Sequence, residues 1–165
     1  MKMSDDLASA FNSQITRELT ASVAYLQMAA YFEGENLTGM GSWMKIQSEE
    51  EKNHAHLFLK FVLDRGNQVR IGAIDAPATD FQSVEHVFEI ALAREEATTK
   101  AIHDIYRLAS ESGDLASYPF LQSFIGEQNE EEALVETILE RVRLAGGESS
   151  AIILLDNELG ARKSP

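Results

Sequence analysis

The chain has 165 residues, of which 44% are hydrophobic and 25% charged, and it carries a formal net charge of −13 at pH 7. This length and composition are typical of one globular domain with a buried core. The negative charge argues against a protein that binds nucleic acid or anionic membranes. Because the chain contains no cysteine, disulfides and thiolate metal sites are excluded. The N-terminal residues lack the apolar run of a signal peptide, and no segment approaches membrane-spanning length, so we expect a cytoplasmic protein.

Four long segments repeat hydrophobic residues with the 3.6-residue period of an amphipathic helix. The first helix is predicted to end at Gly34. The second is predicted to begin at Thr38 as its N-cap and to end before Gly66, which suits the left-handed C-cap position. Pro119 is tolerated in the first turn of the fourth helix. The predicted helices cover residues 4–33, 38–65, 83–112 and 117–145, followed by a short apolar helix over 149–160.

The connections between these helices predict how they pack. Short connections join the first helix to the second and the third to the fourth, so each pair is expected to form an antiparallel hairpin. Residues 66–82 show no hydrophobic period and can stretch to about 55 Å at roughly 3.3 Å per residue. Each long helix spans only about 40–45 Å at roughly 1.5 Å per residue. The predicted fold is therefore a single all-α domain, residues 1–165: a four-helix bundle with one long crossover and a short fifth helix.

Each long helix carries a glutamate in the middle of its apolar face. His54 follows Glu51 by three residues, and Glu131 follows Gln128 by three, so the members of each pair share a helix face. All of these residues lie near the midpoints of their helices, and midpoints coincide in a bundle whether a helix runs up or down. We therefore expect the four glutamates to meet at one level: Glu18, Glu51, Glu95 and Glu131.

Buried carboxylates at such close range need a compensating cation. Without one they would repel each other and lose their hydration. Lys52, Lys60 and Arg94 fall on other helix faces, so the sequence predicts a pair of divalent metal ions among the glutamates. Several carboxylates and one imidazole, without thiolate, suit iron or manganese better than structural zinc.

Parts of this pattern also have simpler interpretations. A single Glu-x-x-His pair arises by chance in many helices, and an acidic run such as residues 49–51 is ordinarily solvated. Tyr25 is more often a core tyrosine whose hydroxyl bonds to a carboxylate. His56, His86 and His103 lack a carboxylate at the same spacing and are interpreted as solvated or structural. The metal hypothesis depends on the combined set on four helices.

Over essentially its whole length, the sequence resembles the bacterial non-haem ferritins. The matching segments are "RELTASVAYLQMA", "SEEEKNHAHLFLKFVLDRGN", "AREEATTKAIHDI" and "FLQSFIGEQNEEE". This resemblance implies iron storage with ferroxidase activity, in which Fe(II) is oxidised by O2 or H2O2 and Fe(III) is deposited as mineral. It also implies a homo-oligomeric hollow shell of 24 subunits, with the short C-terminal helix at the fourfold axes.

The resemblance assigns a dinuclear iron centre to each subunit. The first iron would be held by Glu18, Glu51 and His54, with Glu51 bridging to the second iron. The second iron would be held by Glu95 and Glu131, and Glu131 is also shared with a third site.

Further residues are assigned around this centre. The resemblance places Gln128 beside the second iron and Tyr25 next to the centre. A third iron site corresponds to Glu50, Glu127 and Glu130.

Haem is not expected. Bacterioferritins, which have a similar bundle, place a haem-ligating methionine directly after the glutamate of the Glu-x-x-His pair. The matching residue here is Lys52, whose ammonium group has no lone pair at neutral pH.

Two alternatives to iron storage remain open from the sequence. One is a di-iron peroxidase or oxygenase similar to rubrerythrin, which the absence of a second Glu-x-x-His pair and of a cysteine-liganded domain disfavours. The other is a non-catalytic helical bundle whose buried acids are protonated.

Overall fold

The computed structural model describes residues 1–163, and all regular secondary structure in that range is helical. Every predicted helix end lies within one residue of the observed end, and the all-α fold class is confirmed. One turn of 3-10 helix, Leu115–Ser117, separates the third and fourth helices. The α-helices are Asp5–Gly34 (α1), Thr38–Asp64 (α2), Val84–Glu111 (α3), Tyr118–Ala145 (α4) and Ser149–Leu159 (α5).

Local capping signals explain several of these ends. The Oγ atoms of Ser4 and Ser83 accept hydrogen bonds from backbone N–H groups three residues later, at 3.3 and 3.0 Å, as N-cap serines commonly do. Gly66 follows α2 with a φ of 73°, as predicted. Gly34, by contrast, is still helical. The left-handed residue after α1 is Asn36, with a φ of 62°, and asparagine is one of the few residues that tolerates this conformation.

The start of α2 also differs from the prediction. Thr38 is the first helical residue, and the N-cap position belongs to Leu37, whose side chain offers no hydrogen bond. The cap comes instead from α5, because Oδ1 of Asp156 accepts a hydrogen bond from the N–H of Met40 at 2.7 Å. A side chain distant in sequence thus satisfies a free N–H of the first turn.

The helices form the predicted hairpins and crossover. α1 packs against α2, and α3 packs against α4. Residues 67–83 have no regular secondary structure and join the two hairpins. They run beside α1, where Asn12 Nδ2 donates to the carbonyl of Gln68 at 3.0 Å and Gly72 N–H donates to Thr16 Oγ1 at 2.8 Å. The four-helix bundle with one long crossover is confirmed.

The hydrophobic core consists of two clusters. One contains Met28, Trp43 and Phe88, and the other contains Phe11 and Phe58. On each of the four long helices, the segments that contribute to the two clusters are separated by a few residues near the helix midpoint. Those midpoint residues include the glutamates that the sequence places on the apolar faces. A polar layer therefore divides the core.

Helix α5 is held tightly against the first turn of α2. A Cβ atom on Gly39 would lie 1.9 Å from the carbonyl oxygen of Asp156, and a Cβ atom on Gly160 would lie 2.9 Å from the Cα of Gly39. Only glycine permits this approach at Gly39. The other side of α5 exposes apolar residues, with Ile153 at 55% and Leu154 at 70% exposure. In the described part of the chain, no helix combines the length and the apolar character needed to cross a membrane.

Candidate metal centre

The polar layer of the core is built from side chains of all four long helices. Glu18, Glu51, Glu95 and Gln128 are each at most 2% exposed, although carboxylates are rarely buried without a partner. Their helical neighbours help to explain this burial, because each has at least one residue three or four positions away that belongs to an apolar cluster. Glu131, from α4, is only partly buried.

Three ligand atoms meet on one side of the layer. One atom each from Glu18, Glu51 and His54 lie within 4.8 Å of one another, and this is the only such trio among residues 1–163. His54 Nδ1 is 3.8 Å from Glu51 Oε2, which is too long for a hydrogen bond. Oε2 of Glu18, both carboxylate oxygens of Glu51 and Nδ1 of His54 have no hydrogen-bond partner among the described residues.

Unpartnered buried polar atoms are rare, and each costs about 1–3 kcal/mol. Here four such atoms belong to three residues that bring one ligand atom each within 4.8 Å of one another, which fits a cation that binds oxygen and imidazole nitrogen. The donors are hard carboxylate oxygens with one imidazole, which suits iron or manganese. The other oxygen of Glu18 is held by Gln14, whose Nε2 donates to Oε1 at 2.7 Å.

Glu95, the buried carboxylate of α3, accepts hydrogen bonds at both oxygens. The Tyr25 hydroxyl donates to Oε1, and Gln128 Nε2 donates to Oε2 at 3.2 Å. Tyr25 is therefore a core tyrosine bonded to a carboxylate, as its simpler interpretation holds.

Glutamines that the sequence analysis did not single out support the layer. Gln47 Nε2 donates to Glu131 Oε2 at 3.0 Å, and Gln14 orients Glu18. Each of these glutamines is buried and stands one helical turn before a buried glutamate on its own helix, Glu51 or Glu18. Both glutamines could have been predicted from the sequence, because each lies on an apolar helix face four residues before a glutamate.

The residues assigned to a third site lie at the rim. The Glu127 side chain is 51% exposed, and its Oε2 lies 3.7 Å from Nε2 of His54. Glu130 is exposed. The Glu50 side chain is 18% exposed and forms an ion pair of 2.7 Å with Arg162. The structure therefore places Glu127 near His54 and pairs Glu50 with Arg162.

Lys52 and the three other histidines are not part of the buried layer. Lys52 pairs with Glu49 at 2.9 Å on the surface. His56 and His103 are exposed, and His86 Nδ1 accepts a hydrogen bond from the N–H of residue 82 at 3.2 Å. These histidines are solvated or structural, as predicted.

Burial controls the protonation of the layer. Loss of hydration raises the pKa of Glu51 to about 8. Burial, and next the charge of Glu51, raises the pKa of Glu18 well above its ordinary value. Burial also raises the pKa of Glu95, although the hydrogen bonds from Tyr25 and Gln128 oppose it. Without a cation, Glu51 therefore holds a proton at neutral pH, and a bound cation would displace that proton.

Comparisons with known proteins identify the family of the chain. The family model described as "Ferritin-like domain" matches residues 8–145. The chain is 34% identical to the bacterial non-heme ferritin of Staphylococcus aureus (strain USA300), covering 97% of this chain and 96% of that protein. It is equally similar, at 34% identity, to the bacterial non-heme ferritin of Bacteroides fragilis (strain 638R), covering 97% of this chain and 99% of that protein.

Solved structures lead to the same family. The open pore ferritin of the hyperthermophilic archaeon Archaeoglobus fulgidus superposes with a TM-score of 0.96 at 37% identity, covering 98% of both chains. An engineered closed form of that ferritin superposes with a TM-score of 0.97 at 36% identity, covering 99% of this chain and 100% of that chain. The chain thus belongs to the ferritin family.

Proposed function

We propose that this protein stores iron and oxidises Fe(II) at a dinuclear centre in the polar layer of its bundle. Membership of the ferritin family supports the storage role. The observation that carries the oxidation site is the buried trio Glu18, Glu51 and His54, whose facing atoms lack partners among the described residues.

The first iron is held by the trio. Glu51 is central because neither of its oxygens is engaged by a described residue, so one oxygen can bind the first iron and the other can bridge to the second. Glu18 keeps its free Oε2 toward the site, while Gln14 holds its other oxygen at 2.7 Å.

The second iron is held by Glu51, Glu95 and Glu131. Tyr25 and Gln128 hold Glu95 in place through hydrogen bonds, and Gln47 does the same for Glu131. No imidazole is assigned to this iron. We therefore expect the second iron to be held more weakly than the first, which suits a substrate that must leave for a mineral store.

Glu50, Glu127 and Glu130 form a third iron site at the rim. Glu127 supports this assignment because its carboxylate lies 3.7 Å from His54 and is half exposed, so it can bind an ion entering from solvent. Arg162 currently neutralises Glu50.

The reaction follows from two adjacent Fe(II) ions. Each gives one electron, so two Fe(II), one O2 and two protons yield two Fe(III) and one H2O2. With H2O2 as oxidant, two Fe(II) and two protons yield two Fe(III) and two water molecules. Carboxylate ligands favour Fe(III) over Fe(II), because the harder, more highly charged ion gains more from them.

Storage requires an enclosed space, for which we propose a 24-subunit shell. The apolar side of α5 supports assembly, because the adjacent residues Ile153 and Leu154 are 55% and 70% exposed in the isolated chain and contiguous exposed apolar surface marks protein–protein contacts. Electron microscopy tests the shell directly. Hollow particles are expected, and monomers or dimers alone would contradict the proposal.

Replacement of Glu51 by Ala tests the oxidation centre. Rapid oxidation of Fe(II), followed by absorbance after mixing with O2, should fall by at least about tenfold, while shells still assemble. The matched control is Glu49→Gln, which removes a neighbouring glutamate whose side chain is 67% exposed. A parent rate in Glu51→Ala would place the centre elsewhere. A bundle with protonated acids and no metal chemistry would show no rapid oxidation in either protein.

A further inference from the structure

Arg162 follows α5 and reaches the rim of the glutamate layer. Its guanidinium donates to Oε2 of Glu50 at 2.7 Å and also donates to Oε1 of Gln47. Its central carbon lies 5.0 Å from the centre of the Trp43 ring, which adds a cation–π contact. The arginine side chain is only 21% exposed, and that of Glu50 is 18% exposed.

The fold delivers this arginine to one stripe of α2. Trp43, Gln47 and Glu50 follow one another at spacings of four and three residues, so they share a helix face. The close contact of Gly39 with Asp156 fixes α5 against the first turn of α2. Residues after α5 are thereby directed along this stripe toward Glu50.

The guanidinium also acts on the centre through Gln47. The Gln47 amide accepts from Arg162 through Oε1, so its Nε2 is left to donate to Glu131 Oε2, which it does at 3.0 Å. Arg162 thus favours the amide orientation in which Gln47 donates to Glu131. One side chain therefore contacts an assigned ligand of the third site directly and a ligand of the second iron through one glutamine.

We propose that Arg162 is an internal cation that keeps the third metal site closed until a divalent ion displaces it. This inference rests on the third iron site of the proposed function. A guanidinium bonded at 2.7 Å to Oε2 of Glu50 competes with a metal ion for that oxygen, because two cations at one carboxylate oxygen repel each other. A divalent ion brings twice the charge and can also use the exposed carboxylates of Glu127 and Glu130. Arg162 is partly exposed and can move into solvent when displaced.

The proposal predicts an order of filling. The buried trio has no competing cation among the described residues and loads first. The third site binds its ion only when Arg162 gives up its contacts with Glu50, Gln47 and Trp43. Charge-assisted hydrogen bonds of this kind are roughly twice as strong as neutral ones, so their loss should weaken binding of the third ion by about tenfold.

Zinc titration of the assembled, metal-free protein tests this inference, because Zn²⁺ is redox-silent and remains at the sites it binds. Arg162→Gln should tighten binding of the third ion about tenfold in isothermal calorimetry and leave the first two ions within about twofold. Arg162→Lys keeps a charge but loses the planar fork, and should give an intermediate value. The control Lys163→Gln removes a neighbouring exposed charge and should match the parent.

Trp43 provides a second measurement, because it is the only tryptophan in the chain. In the parent, its fluorescence should change with the third ion, when the guanidinium leaves the ring. In Arg162→Gln that change should be absent.

Three outcomes would count against the inference. Equal or weaker third-ion binding in Arg162→Gln would overturn it, as would two ions at saturation in both proteins. Failure of the parent to bind even the first two ions would instead contradict the dinuclear centre, and the inference would fall with it.

Discussion

The carboxylate of Asp156 caps a helix that lies 116 residues away in sequence, because its Oδ1 accepts a hydrogen bond from the N–H of Met40 at 2.7 Å. Leu37 occupies the N-cap position of α2 and has no oxygen to offer. A carboxylate at a helix N-terminus also interacts favourably with the helix dipole. This single bond couples the short C-terminal helix to the helix that carries Glu51 and His54.

Replacing Asp156 with Ala should destabilise this junction by about 0.5–2 kcal/mol, the usual effect of losing an N-cap. Hydrogen–deuterium exchange should speed up in the first turn of α2 and throughout α5, and the thermal midpoint should fall. Asn157→Ala changes the next, exposed residue of the same helix and is the control. Unchanged exchange in Asp156→Ala would show that packing at Gly39 alone holds α5.

Metal-free protein should lose stability as pH rises from about 4.5 toward 8. Burial raises the pKa of Glu51 to about 8 and raises that of Glu18. The folded state therefore binds more protons than the unfolded state across this window, and its stability falls as pH increases. Thermal melts of metal-free protein at pH 6 and pH 8 should show the decline, and zinc-loaded protein should show less of it, because the bound ion compensates the charge.

The Glu51→Gln variant removes the negative charge of this side chain and keeps its size and shape nearly unchanged. The variant should raise the stability of metal-free protein at pH 8 by about 1–3 kcal/mol, the scale for one unsatisfied buried polar group, and should flatten the pH dependence. It should also abolish the zinc-dependent gain. Glu49→Gln should behave as the parent. If metal-free Glu51→Gln were less stable than the metal-free parent at pH 8, the Glu51 carboxylate would have a stabilising partner in the folded protein.

The third site predicts a change in stoichiometry. Changing Glu127 and Glu130 together to Ala should lower anaerobic Fe(II) binding from three to two ions per subunit. Both residues are exposed, so the fold should not change. Glu136→Ala, an exposed glutamate further along α4, is the control. Three ions per subunit in the double variant would move the third site away from these residues.

Local signals account for what the sequence predicted correctly. Helix ends, and the faces on which Glu18, Glu51 and Glu95 lie, follow from hydrophobic period and caps within a few residues. A bundle brings helix midpoints to one level, so the meeting of the glutamates followed from counting along each helix. The hydrogen bond from Tyr25 to Glu95 could also be predicted, because both residues lie on the core-facing sides of their helices.

Contacts between distant residues account for what the sequence did not predict. Gln47 bonds to Glu131 across 84 residues, and Arg162 bonds to Glu50 across 112. Long flexible side chains make these contacts, and their partners depend on the exact path of α5. Only Gln47 had a local signal, since it lies one turn before a buried glutamate on an apolar face.

The protein should bind no haem, and α2 provides the reason. The haem of bacterioferritins is held by a methionine that directly follows the glutamate of the Glu-x-x-His pair. At that position Lys52 is exposed and paired with Glu49 at 2.9 Å. Its ammonium group cannot donate an electron pair to iron at neutral pH.

The methionines of α2 cannot take its place. Met40 and Met44 are completely buried in the apolar cluster, so exposing either thioether would require α2 to rotate and open the core. Rotation would also carry Glu51 and His54 away from Glu18, which would dismantle the predicted iron site. Protein purified from cells grown with excess haem precursor should therefore show no Soret band. A stoichiometric band, at one haem for two subunits, would mean that another surface of the chain supplies the ligands.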